Sequence, residues 1–306
     1  MIPSISIVIC TYNPRMDYFK LCLNGIIQAS QILKPLEILI IDNNSQNEFE
    51  LEEYVQNFII ASGARLIKES QQGLTPARLR GIKEAKGNLL LFIDDDNIIN
   101  ENYFSEGILI SEENPKIGAW SGVVNLIFEK EPEQWTEKYW GMLVYRNFEK
   151  EIWSNLPHLA ETMPSGAGMF VRKSVAEHYY RLHYDGFRKF QLDRAGNALL
   201  SGGDNDLAAC SCDLNLGVGL FSKLKLDHVI PKERLTLSYL LRLTEGIAMS
   251  SLILKSFRGE YPKQLTWKNQ IANKLRYLTK KGHEKAFFSA VLRGEARALK
   301  IISKSK

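Results

Sequence analysis

Cysteine is scarce in this chain, with Cys10, Cys22, Cys210 and Cys212 the only four in 306 residues. At this length they make no disulfide framework. Cys210 and Cys212 are too close for zinc-knuckle spacing and have no second pair beside them. All four read as reduced, small apolar side chains of a cytosolic protein. No stretch approaches about 18 unbroken apolar residues, so the sequence predicts no transmembrane helix. The start, Met1 to Cys10, lacks a basic n-region and a small-residue cleavage site, and reads as a first strand rather than a signal peptide. Neither G-x-G-x-x-G nor G-x-x-x-x-G-K-[ST] is present, which counts against a dinucleotide oxidoreductase and a phosphate-loop NTPase. There is no internal repeat and no low-complexity segment.

What remains is an ordinary globular composition, 45% hydrophobic and 24% charged, in a chain long enough for a large core and one or two domains. The net charge of +4 is uneven. Twelve Lys and Arg fall between Tyr261 and Lys306 against Glu284 and Glu295, so that segment carries +10 and residues 1–260 carry −6. Such asymmetry marks a surface for something anionic. No base-reading module accompanies it, so nucleic acid is not the expected partner. The readings left open are a solvated basic helix packed on the domain and an amphipathic helix lying on an anionic membrane.

The chain is organised around Leu89-Leu-Leu-Phe-Ile93, which runs straight into Asp94, Asp95, Asp96 and Asn97. A short, bounded apolar run suits a strand buried on both faces of a parallel sheet. Unpaired charges cannot follow it into a core, so the acids mark the carboxyl edge, where open α/β sheets hold ligands. Carboxylates packed this closely call for a hard cation such as Mg2+ or Mn2+, or else form a solvated acidic turn.

Ile5–Ile9, Leu36–Ile41 and Arg65–Lys68 read as further strands, with helices over about 17–31 and 48–62 between them. Thr75 is expected to cap the next helix, with Pro76 at its first helical position and Gly87 at its end. This β-α-β-α-β-α-β order predicts a doubly wound, mostly parallel α/β sheet. Three polar strand ends, 10–13, 42–45 and 94–97, should converge on one edge. Beyond residue 100 the pattern changes: 117–126 and 167–172 read as strands without regular helices between them, and 216–221 as one more strand. Trp120, Trp135, Trp140 and Trp153 cluster with Tyr139, Tyr145 and Phe148, as core or as a flat apolar platform for a sugar ring. Asp204 and Asp206 follow Gly202-Gly203 at a helix start, where acids serve as caps or face a ligand that the Gly pair lets approach. His228, taken alone, reads as structural. From Thr236 the chain is helical, over 238–257, 267–277 and 284–302.

An acidic triad at a strand end and a second acid pair about 110 residues later suit sugar transfer from a nucleotide-sugar. A cation offsets the charge of the departing nucleoside diphosphate, and a separate carboxylate takes the acceptor's proton.

The chain resembles the family 2 glycosyltransferases of GT-A fold, of the inverting type found in bacterial polysaccharide and glycan biosynthesis. The resemblance covers roughly residues 4–245. It rests on Ile7-Val-Ile-Cys-Thr-Tyr-Asn13, Ile40-Ile-Asp-Asn-Asn-Ser45, Gly73-Leu-Thr-Pro-Ala-Arg78, Phe92-Ile-Asp-Asp-Asp96, Gly166-Ala-Gly-Met-Phe-Val-Arg172 and Ser201-Gly-Gly-Asp-Asn-Asp-Leu207, in that order. It implies that Thr11, Tyr12, Asn13, Asp42, Gly73, Arg78, Asp94 and Asp95 serve the nucleotide, with Asp94 toward the ribose. It further implies Asp96 and His228 as ligands of Mn2+ or Mg2+, and Asp204 as general base, with Asp206 as the alternative. Gly203 stands where the family motif has Glu. Gly166, Ala167 and Gly168 would lie where donor sugar and acceptor meet, and Arg234 would meet the diphosphate. The implied partners are a nucleotide-sugar donor and a glycan or lipid-linked acceptor. The expected division is a GT-A domain over 1–235 and a basic amphipathic helical region over 236–306. Within that domain, 1–100 is the nucleotide-binding half and 101–235 the acceptor half. The expected location is cytoplasmic, at the inner face of the plasma membrane if 261–306 makes a peripheral contact there. A sugar-nucleotide nucleotidyltransferase and a non-catalytic membrane-associated scaffold are the competing readings.

Overall fold

The computed structural model describes residues 4–157, 159–190, 192–194, 199–262 and 266–304. Met1 at the expected start of the first strand, and Lys263 and Lys306 of the basic segment, lie outside the described residues.

The apolar runs become strands. β1 (Ile5–Thr11), β2 (Glu37–Asp42), β3 (Arg65–Lys68) and β4 (Leu89–Asp94) pair in parallel in the order β3-β2-β1-β4. Alternate side chains feed two cores. Ile5, Ile7, Ile9, Leu89, Leu91 and Ile93 enter one, and Val8, Leu39, Ile41, Leu90 and Phe92 enter the other. Burial on both faces is why 89–93 shows no alternation. Helices α1 (Met16–Ile32) and α2 (Glu53–Ser62) cover the first face with Phe19, Leu23, Ile26, Val55 and Phe58. Helix α3 (Leu74–Glu84) covers the second with Ala77 and Ile82.

Helix α3 begins earlier than Thr75 suggests. Gly73, at φ 127°, is its N-cap, and Thr75 lies inside the first turn with its hydroxyl donating to Asp193. Gly87 does not end the helix either, since α3 stops at Glu84. Gly87 instead passes Ser6, where a Cβ would fall 2.7 Å from the backbone nitrogen.

Beyond β4 the sheet is mixed. Its further strands are β5 (Asn97–Ile99), β6 (Ile117–Phe128), β7 (Ile152–Ser154), β8 (Met169–Arg172) and β9 (Gly217–Ile230). Among the described residues the order is β3-β2-β1-β4-β8-β6-β9-β5, with β7 beside β9. Strand β9 runs far past the expected end at 221. Lys223 to Leu226 alternates exposed and buried, the pattern of a strand with one wet face. Its pairing with β6 is irregular: Ser121 lies opposite Leu220, but Val123 opposite Lys225. Helix α4 (Tyr103–Glu113) has no counterpart in the sequence reading, while α5 (Lys173–Tyr184) and α6 (Gly203–Asp213) cover the second face.

The C-terminal part forms α7 (Leu237–Ser256), α8 (Trp267–Thr279) and α9 (Gly282–Ser303). Helix α7 is long and apolar enough to cross a membrane, with mean hydropathy 1.3. In the fold α9 lies along it. Gly294 passes so close that a Cβ would be 2.3 Å from the Glu245 carbonyl oxygen, and Glu245 pairs with Arg293 and Arg297. Much of the tryptophan cluster is core. Trp120 stacks on Phe170 at 5.5 Å, and Trp140 packs on Phe128 at 4.8 Å. Trp135 and Tyr139 receive α9, with Tyr139 stacked on Phe287 at 3.7 Å. Trp153 alone among the four stays largely exposed.

Candidate active site

The strand ends meet at a cavity of about 350 Å³ on the carboxyl edge of the parallel half. Thr11 and Tyr12 after β1, Asn43 after β2, Gly73 and Arg78 of α3, and Asp94, Asp95 and Asp96 after β4 line one part of it. Gly166, Ala167, Asp204, His228 and Arg234 line the rest, so residues from both halves of the chain share one space.

The acidic wall is built by a tight turn. Asn97 Oδ1 accepts the Asp94 N–H at 3.2 Å, and its Nδ2 donates to Asp96 Oδ1 at 3.1 Å. The Thr11 hydroxyl donates to Asp95. Antiparallel pairing of β5 with β9 sets Asn97 opposite His228, which brings the imidazole to the triad. His228 Nδ1 donates to the Leu143 carbonyl at 3.1 Å, leaving Nε2 3.4 Å from Asp96 Oδ2. Arg234 Nη1 lies 3.0 Å from the same oxygen and 3.2 Å from His228 Nε2.

These contacts sort the charges. Burial, then the Asp96 charge, raises Asp94 above the usual carboxylate range. Burial, then Asp96, pushes Asp95 up to about 7. Burial would raise Asp96 too, but His228 and Arg234 outweigh it and hold this carboxyl low. Burial likewise works against Arg234, and Asp96 outweighs it to keep the guanidinium protonated. Cys10 also lines the cavity, but burial lifts its thiol to about 12, which removes it as a thiolate.

The donor set fits a hard divalent cation. A carboxylate oxygen and an imidazole nitrogen 3.4 Å apart suit neighbouring positions on one ion. Arg234 presents its positive charge to this same pair.

The facing wall carries Asp204, in the first turn of α6. Its Oδ2 accepts the Gly166 N–H at 2.8 Å, and its Oδ1 accepts the Asn205 N–H at 2.9 Å. A Cβ at 166 would lie 2.6 Å from Arg78 Nη2 and 3.2 Å from Asp204 Cβ, so a side chain there would have to displace the Arg78 guanidinium. Arg78 is buried and binds both oxygens of buried Asp193, at 3.0 and 3.1 Å. Neither Asp193 nor its neighbour Arg194, which also lines the cavity, figures in the sequence reading. They sit in a polar loop without periodicity, and Asp193 meets Arg78 across 115 positions.

Other expected site residues stand behind the cavity. Asn13, at φ 49°, accepts the Gln46 and Asn47 N–H groups, and Asp42 accepts the Ser45 N–H, so both shape the 42–47 loop. Gly168, at φ 64°, has its carbonyl bonded to the Tyr103 hydroxyl. Asp206 is a correction: it is buried away from the cavity lining and held by Arg188 at 2.7 Å and Arg258 at 3.0 Å. Both of its oxygens are taken up by these two guanidiniums, so it does not face the cavity.

Comparison with known proteins bears on the family and the fold. A sequence profile described as Glycosyl transferase family 2 matches residues 6–179. Glycosyltransferase AglE of Haloferax volcanii is 30% identical over 109 residues, 35% of either chain. The chain spans about a third of the length of the curated relatives it matches. Among solved structures, the mannosyltransferase PcManGT of Pyrobaculum calidifontis, in complex with GDP-Man and Mn2+, aligns over 100% of this chain and 76% of its own. Its TM-score is 0.58 at 15% identity. TarS of S. aureus, in complex with UDP, aligns over 99% of this chain and 90% of its own, with TM-score 0.52 at 14% identity. These likenesses establish a GT-A glycosyltransferase fold. With the profile covering more than half its length, the chain belongs to glycosyl transferase family 2.

Proposed function

We propose that this protein transfers a sugar, with inversion, from a nucleoside-diphosphate sugar to a hydroxyl of a glycan or lipid-linked acceptor. The observation that carries the reading is the placement of Asp204 and the Asp94–Asp96, His228 and Arg234 group on one cavity. Thr11, Tyr12 and Gly73 receive the nucleotide, with Asn13 and Asp42 holding the loop behind them. Asp94 faces the ribose, and Asp95 stands beside it under the Thr11 hydroxyl. Asp96 and His228 would hold Mn2+ or Mg2+, which would supply neutralising charge to the diphosphate. Arg234 adds a fixed positive charge where the leaving oxygen becomes anionic.

Asp204 takes the proton of the acceptor hydroxyl as the oxygen attacks the anomeric carbon. One C–O bond forms as the bond to the phosphate oxygen breaks, and its electron pair leaves with the nucleoside diphosphate. Gly166 and Ala167 leave room for the sugar at this point, and the turn at Gly168 holds them there. The reaction is placed in the cytoplasm, at the inner face of the membrane when the acceptor is lipid-linked.

The test is a screen of UDP-, GDP- and dTDP-sugars with Mn2+, reading nucleoside diphosphate release and the rise in Tm, since a ligand stabilises the state it binds. Pyrophosphate release would point to nucleotidyl transfer. Absence of metal-dependent binding by any of them would favour a scaffold.

A further inference from the structure

We propose that α8 docks the protein on an anionic membrane surface through a single outward-facing apolar stripe. The proposal deepens the lipid-linked-acceptor reading and rests on it for its purpose. Trp267, Ile271, Leu275 and Leu278 follow one another at intervals of four, four and three, which places them on one side of a helix. They are 67%, 51%, 60% and 64% exposed, and α8 has no buried residue. The less exposed positions, Ala272, Asn273 and Tyr277, lie on the other side, where Lys285 of α9 sits 4.5 Å over the Tyr277 ring. The helix therefore presents its apolar stripe outward, the reverse of a helix serving a core.

Charge selects the partner. Lys268, Lys274, Arg276, Lys280 and Lys281 are all exposed, and no acidic residue occurs between 266 and 283. An interfacial tryptophan, aliphatic side chains and a basic flank together match an anionic lipid surface. A second copy laid on the same stripe would oppose two basic helices with nothing to offset them. Helix α9 is not available for this role. Its Phe287, Ala290, Ala298 and Ile302 are buried, so the basic C-terminal segment divides into a packed helix and a presented one. A 13-residue helix without tertiary burial is marginal in water, yet this one has a capping box between Thr266 and Asn269 that fixes its start.

The experiment uses the full chain and sedimentation with vesicles of phosphatidylcholine alone or with about a third phosphatidylglycerol. The wild-type protein is expected to pellet with the anionic vesicles, and less so at high salt. A Trp267→Ser/Ile271→Ser/Leu275→Ser/Leu278→Ser variant should lose at least about tenfold in partitioning. A Lys268→Gln/Lys274→Gln/Arg276→Gln variant should lose at least about tenfold as well. Donor turnover without vesicles, read on the same preparations, should be equal for all three proteins. That readout separates failure of the docking idea from failure of the transferase reading. Equal pelleting of wild type and both variants would overturn the proposal, as would no pelleting of the wild type. A dimer in light scattering that the apolar variant abolishes, without vesicle binding, would overturn it in favour of a second copy.

Discussion

The Asp193 carboxylate fills the space beside Gly203 that a side chain there would need: a Cβ on Gly203 would lie 2.1 Å from Asp193 Oδ2. The family motif has an acid at position 203, whereas here an acid reaches Arg78 from the preceding loop. Asp193→Ala leaves Arg78 buried without its partner and should cost about 3–5 kcal/mol of unfolding free energy in urea titration. Gly203→Glu should be harmful alone but recover about half of that loss in the Asp193→Ala background, by a double-mutant cycle.

Asp204→Asn keeps an acceptor for the Gly166 N–H while removing the base. It should lower kcat about 10²–10⁴-fold and leave donor affinity unchanged. Steady-state rates with donor titration calorimetry test this, and a full rate would remove Asp204 from the chemistry.

Asp206→Asn should do the opposite. It breaks the buried pairs with Arg188 and Arg258, so about 3–5 kcal/mol of stability is lost. The folded fraction should retain kcat within about threefold, because the carboxylate stands off the cavity. Chemical denaturation and rates normalised to folded protein read the two effects separately.

The cation's stabilising effect should grow with pH. Asp95, raised to about 7 by burial and Asp96, binds its proton more tightly folded than unfolded, where the reference is about 3.9. Its contribution to stability therefore falls as pH rises from about 4 through 7. A divalent cation offsets the ionised cluster, so the Tm increase on adding Mn2+ should be larger at about pH 8 than at about pH 5.5. Asp96→Ala should remove most of the increase at both. Differential scanning fluorimetry checks both statements, and equal shifts at the two pH values would contradict the first.

The parallel half was readable because its signals are local. A run such as 89–93 is uninterrupted since both faces are buried, and three acids at its end have few places to go. The site was readable where chemistry clusters in sequence. His228 taken alone gives no local signal, since its approach to the triad comes from strand pairing with Asn97. Thr75 has the residue type of a cap, but Gly73, at φ 127°, turns the chain into the helix two residues sooner. Asp206 has the same residue type as Asp204 two positions earlier. What separates them is the guanidiniums of Arg188 and Arg258, 18 and 52 positions away. Asp193 was hidden for the same reason, as its partner arrives through tertiary packing.

The irregular pairing of β6 with β9 separates the length of that segment from the register beyond it. Between the Ser121–Leu220 and Val123–Lys225 pairs, four residues of β9 lie opposite one of β6. His228 follows downstream of this detour, and side chains of a strand alternate between its faces. Downstream of the detour the register is held by regular pairing with β6 from Val123–Lys225 to Phe128–Ile230, and by Asn97 opposite His228 on β5. His228 is thus placed by pairing on both sides of β9, and the surplus residues before it are taken up in the detour.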